Sequence, residues 1–124
     1  MNSVFRFQEF NVYKQARQFR IKVKTLSKEK FPREERFCLT SQLWRALDSI
    51  LLNIAEGSVK YSEIDFRRFL NIALGSLNEV VACLDAALDD EDIFIELYEE
   101  LVKEAESIAK QVRAFSGKLG KKAI

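Results

Sequence analysis

The chain has 124 residues with 20 Lys+Arg and 19 Asp+Glu, giving a formal net charge of +1. That length suits one domain burying roughly two-thirds of its unfolded surface, and 48% hydrophobic with 31% charged residues excludes a disordered chain. One proline and four glycines are too few for a turn-rich all-β fold, and the absence of histidine removes Ser-His-Asp and Cys-His catalysis, His-ligated zinc and the usual proton shuttle.

The first helix is expected over residues 11–27. Val12, Ala16, Phe19, Val23 and Leu26 fall within about 80° on a helical wheel and form a narrow apolar stripe. Beside it, Arg17, Arg20, Lys24 and Lys28 share a basic stripe, with Lys14 a little beyond. Phe31-Pro32 breaks the helix, because a residue before proline avoids the α region. A loose turn is expected over 34–39.

The second helix is expected over 40–56, with Thr40 as N-cap and Gly57 as its stop. Leu43, Leu47, Ile50 and Ile54 make a core face, while Trp44, Leu51, Leu52 and Ala55 lie on the far side. Apolar residues on nearly all sides predict burial on nearly all sides, so this second face is expected to meet another subunit. Gln42, Arg45, Ser49, Asn53 and Glu56 form a polar file, whose members need hydrogen-bond partners if partly buried. For Arg45 the candidates are Glu79 on the third helix or Glu56 of a neighbouring copy. No nucleophile–base pair accompanies the file, so it reads as a network that fixes register.

Ser62-Glu63-Ile64-Asp65 resembles a capping box opening the third helix, expected over 63–88. Phe66, Phe69, Leu70, Ala73, Leu77, Val80, Leu84, Ala87 and Leu88 share its buried face. Opposite them run the small residues Gly75, Ala82 and Ala86. A mid-helix glycine costs about 1 kcal/mol relative to alanine, so Gly75 points to close helix contact, within or between subunits. The acidic run 89–92 suits the positive start of a fourth helix, expected over 93–116. There Phe94, Leu97, Tyr98, Leu101, Ala105, Ile108, Ala109, Val112 and Phe115 repeat at three- and four-residue steps. Gly117, Gly120 and the Lys118, Lys121 and Lys122 tail are expected to end it. Four long helices with short connections predict an all-α, antiparallel up-down four-helix bundle forming one domain over 1–124.

The small net charge conceals a split. Residues 1–60 hold 12 bases and 6 acids, a net of +6, and residues 61–124 hold 8 and 13, a net of −5. Cys38 and Cys83 form no CxxC motif and are expected to be packed, reduced thiols. The first ten residues lack the apolar core of a signal peptide, and Asn71, Asn78, Glu79 and Asp85 interrupt the richest apolar stretch. The expectation is a cytoplasmic protein with no membrane span.

Gln42-Leu43-Trp44-Arg45-Ala46, Ser49-Ile50 and Asn53-Ile54-Ala55-Glu56-Gly57 together resemble the four helix bundle protein family, which includes the 23S rRNA intervening-sequence proteins. Phe66, Phe69-Leu70, Ala73, Gly75-Ser76-Leu77 and Glu79 extend the match, as do Phe31-Pro32, Glu35 and Leu39-Thr40 upstream. The pattern is also similar to the accessory variability determinant of diversity-generating retroelements. The resemblance covers nearly the whole chain. It implies an up-down bundle that assembles as a homopentameric ring or barrel in small cytoplasmic bacterial proteins. The retroelement members are basic and bind nucleic acid and a reverse transcriptase. Here Trp44 stands where another basic residue is common beside Arg45, and the total charge is near neutral.

Two functions follow as expectations. An oligomer could bind RNA or DNA phosphates through Lys14, Arg17, Arg20, Lys24 and Lys28, with multiple copies adding weak contacts. Alternatively, Gln42, Trp44, Arg45, Ser49, Leu51, Asn53, Glu56 and Gly75 serve a structural oligomer or a protein adaptor with no nucleic-acid affinity. Enzyme activity is not expected. A bundle-type metal oxidase needs Glu-x-x-His on two helices, and the acidic run lacks the ligand spacing and central glycine of an EF-hand. Neither a metal nor a cofactor is expected.

Overall fold

The helix ends follow from local chemistry. In this computed structural model, which describes residues 4–122, a 3-10 turn at Arg6–Glu9 leads into helix α1, Asn11–Lys30. Phe31 is extended, with ψ 140°, as the following proline requires. A second 3-10 turn, Arg33–Phe37, precedes α2, Leu39–Gly57. The expected cap Thr40 lies inside α2. Cys38 occupies the N-cap without a side-chain bond, and the Leu39 amide donates instead to Glu35 Oε2 at 3.2 Å. The Glu35 carboxylate thus does for this end what a Ser or Thr cap would do.

Helix α3, Glu63–Asp89, opens as the sequence predicts, with Ser62 Oγ accepting from the Asp65 amide at 3.0 Å. It closes in a turn where the Asp92 amide donates to Ala87 O at 2.8 Å and the Glu91 amide to Leu88 O at 3.0 Å. This is the Schellman pattern, and it puts Glu91 at φ 63°. Helix α4, Ile95–Lys122, therefore starts two residues later than expected, and it continues through Gly117 instead of ending there. The turn also moves the buried stripe: Ile93 is 3% exposed, whereas Phe94 is 79% exposed. Residues 1–3 and 123–124, the ends of the expected domain, lie outside the described residues.

Cross-helix pairs fix the topology. Trp44 meets Ser27 and Asp48 meets Lys24, so α1 and α2 run antiparallel. Arg45 with Glu79 and Ser49 with Ser76 do the same for α2 and α3. Lys22 with Glu104 and Gln15 with Ser107 do it for α1 and α4. With the short connection from α3 to α4, the result is an antiparallel up-down four-helix bundle with no strand among the described residues.

The core is drawn from the predicted faces. Leu43, Leu47, Ile50 and Ile54 of α2 are almost fully buried, as are Leu70, Val80 and Leu84 of α3 and Leu101, Ile108 and Val112 of α4. Each such side chain contributes about 1.5–3 kcal/mol by leaving water. At one end Phe10, Phe66 and Phe115 pack together, with Phe10 and Phe66 each about 5 Å from Phe115. By length and composition alone α3 could cross a membrane. In the bundle, its apolar face from Phe66 to Ala87 packs into the core, and Arg67, Arg68, Asn71 and Asn78 face outward.

Candidate functional site

Several of the polar residues that the sequence singles out lie in the seams between helices. In the α1–α2 seam, Arg20 Nε and Lys24 Nζ both donate to Asp48 Oδ1, at 2.7 and 2.8 Å. Burial pulls the Asp48 carboxyl upward, but the hydrogen bonds from Lys24 and Arg20 outweigh it and hold the group below the usual carboxylate range. Trp44 Nε1 donates to Ser27 Oγ at 2.9 Å, and that buried hydroxyl donates to Lys24 O at 2.9 Å. The ammonium groups of Lys24 and Lys28 lie 5.2 and 5.5 Å from the Trp44 ring centroid, within cation–π range.

These contacts correct two expectations. The basic stripe of α1 is not a row of five free charges: Arg20 and Lys24 are held by Asp48, and Lys14 pairs with Glu9 at 3.8 Å. Arg17 and Lys28 are exposed and have no ion-pair partner among the described residues. Nor do Trp44 and Leu51 form a free outer face. Both are partly buried against the core, Trp44 through its contact with Ser27 of α1, and only Leu52 of that group is exposed. Because α2 has a neighbour on each side, it buries more of its circumference than one core face.

The α2–α3 seam holds the predicted polar file. Arg45 Nη2 donates to Glu79 Oε2 at 2.9 Å, the third-helix partner the sequence offered. Ser49 and Ser76 hydroxyls are 2.7 Å apart, and Asn53 Nδ2 donates to Ser49 O and Oγ at 2.8 and 3.0 Å. Gln42 reaches only Arg45, at 3.5 Å, and Glu56 is exposed. Gly75 is exposed too, and a Cβ added there meets nothing within 4 Å, so no helix of the same chain approaches it. Gly57 is where close approach occurs, since an added Cβ would lie 2.8 Å from both Phe66 Cδ1 and Phe69 Cβ.

On the opposite seam Lys22 Nζ reaches Glu100 Oε2 at 2.8 Å and Glu104 Oε1 at 3.1 Å. Hydrogen bonds to these two carboxylates raise its pKa. Sequence reasoning missed both Lys22 and Asp48, because periodicity marks faces but not which charges meet across a seam. The two thiols also differ. Cys83 is buried, and desolvation followed by the charge of Glu79 pushes its pKa up, whereas Cys38 is exposed, against the expectation that both are packed. No group of three or more metal-ligating side chains occurs among the described residues.

A four-helix bundle whose charged and hydroxylic side chains chiefly tie helix to helix defines a small all-α bundle protein. The chain belongs to the family described as 23S rRNA-intervening sequence protein, which it matches over residues 8–114. A crystal structure of a protein of unknown function from the S23 ribosomal protein family of Bacteroides thetaiotaomicron is similar at 28% identity and a TM-score of 0.77. The match covers 85% of this chain and 97% of that one. No curated protein matches the chain.

Proposed function

We propose that this chain is a non-enzymatic, cytoplasmic bacterial protein that assembles with copies of itself through the outer face of α2 and α3. The homopentameric ring implied by the family resemblance is the assembly proposed. One observation carries this reading. The register set by Arg45–Glu79 and Ser49–Ser76 brings Leu52 level with Ile72, and these large apolar residues are 67% and 47% exposed. Beside them Gly75 leaves open space for an approaching helix. The polar file already paired beneath them would fix the angle of approach. The lack of histidine and the absence of a nucleophile–base pair in the polar file support a role other than catalysis.

Light scattering should give about five times the single-chain mass of 14.4 kDa. Leu52→Glu with Ile72→Glu should reduce it to the single-chain mass with helical circular dichroism unchanged. A monomeric wild type would end this reading, and an assembled double variant would move the interface elsewhere.

A second reading is supported by Arg17 and Lys28, which are exposed and carry no ion pair among the described residues. Phosphate contact through α1 would then rest on these two residues per copy, multiplied by assembly.

A further inference from the structure

Where α1 ends and α2 begins, the chain encloses an open cavity of about 610 Å³, a size suited to a small ligand. Three bases line it, Lys28, Arg33 and Arg36, and no carboxylate does. None of the three has an ion-pair partner among the described residues, whereas Arg20, Lys22, Lys24 and Arg45 all do. Lys28 rests 5.5 Å from the Trp44 ring centroid, but no acid among the described residues neutralises any of the three, so these like charges around one cavity repel each other, and an anion between them would relieve that repulsion.

Three aromatic residues also line the cavity, the buried Phe31 and the more accessible Trp44 and Phe37. Trp44 is fixed by its bond to the buried Ser27 hydroxyl, so its position is set before any ligand arrives. Phe37 is 88% exposed, a large apolar ring held beside the cations and left in water. A simple anion would use the bases but not the rings. A neutral ring compound would use the rings but not the bases. A ligand carrying both a planar ring and a phosphate would use the three bases and the two more accessible rings, since guanidinium groups grip phosphate oxygens in pairs and nucleobases stack on aromatic faces.

We propose that this corner cavity binds a nucleoside phosphate, with the base against Phe37 and Trp44 and the phosphate on Lys28, Arg33 and Arg36. The nucleoside phosphate is either a free mononucleotide or one unit of a single strand. The site is independent of the α2–α3 face and does not need assembly.

Trp44 is the only tryptophan in the chain, so its fluorescence reports on the wall of this cavity. The full chain would be titrated in low salt with adenosine monophosphate, adenosine, inorganic phosphate and hexa-adenylate, exciting where adenine does not absorb. Saturable quenching by the monophosphate or the hexamer is expected, with adenosine and phosphate weaker by about tenfold or more. Tighter binding of the hexamer assigns the site to a strand, and equal affinities assign it to the free nucleotide. Arg33→Ala with Arg36→Ala should weaken binding about tenfold, and Phe37→Ala should weaken it less. Both variants should keep the wild-type helical circular dichroism. No saturable change with either nucleotide at millimolar concentration would overturn the proposal. So would quenching that is unaltered in the double-arginine variant, or adenosine binding as tightly as its phosphate.

Discussion

Gly57 and Gly75 have opposite reasons to exist. A Cβ at Gly57 would lie 2.8 Å from a ring carbon of Phe66 and from Phe69 Cβ. The ring is buried and the Cβ is tied to backbone, so neither yields without moving α3. Gly57→Ala should therefore destabilise the fold by about 1–3 kcal/mol, despite the better helix propensity of alanine. Gly75→Ala, with open space around it, should stabilise a lone chain by about 1 kcal/mol. Urea unfolding of both variants checks the contrast, and a loss of stability at Gly75 would mean that a second copy fills the space. Within the chain, close approach falls at Gly57 and not at Gly75. The sequence marks Gly57 only as a helix stop, yet no described glycine has positive φ. Close approach is a property of two helices at once, and the spacing along either one does not contain it.

Helix interiors were legible from periodicity, and helix ends only where a side chain announces them. Ser62 announces the start of α3, and Pro32 forces the end of α1. The turn from α3 to α4 carries no such residue. Its left-handed position is filled by Glu91, so the acidic run looked like a helix start and placed Phe94 on the buried stripe. The same gap hid Arg33, Arg36 and Phe37, which sit in a 3-10 turn where neither helical nor strand period applies. A left-handed conformation costs an ordinary residue about 1–2 kcal/mol, part of which glycine returns through its freer unfolded chain. Glu91→Gly should thus stabilise the protein by about 0.5–1 kcal/mol. Glu91→Gln, which removes only the charge, should move the urea midpoint less. Equal shifts from the two substitutions would assign the gain to charge and not to backbone.

At the scale of the molecule, the +1 total is the residue of two opposed halves. In the fold they meet in part: Lys22 of the basic half grips Glu100 and Glu104 of the acidic half. Asp48, an acid within the basic half, holds Arg20 and Lys24 and so masks the middle of the α1 stripe. Its pKa is depressed in the fold, which means that the unfolded chain binds the proton more tightly. The stability it supplies is present above its unfolded pKa, near 4, and is lost as pH falls through the lower folded value. Asp48→Asn should therefore lower the melting temperature most at neutral pH, and the difference from wild type should shrink below about pH 4. A difference that stays constant down to the acid limit would mean that the ion pairs are not its source. The same substitution releases Arg20 and Lys24 beside Arg17 and Lys28. If the stripe contacts phosphates, the variant should bind single- or double-stranded nucleic acid more tightly in low salt, with a steeper loss of affinity as salt rises, because two more cations then displace counterions. Equal affinity and salt dependence in wild type and variant would remove the Arg17, Arg20 and Lys24 stretch of α1 from any nucleic-acid surface, leaving the α2–α3 face and the corner cavity as the surfaces by which this bundle meets its partners.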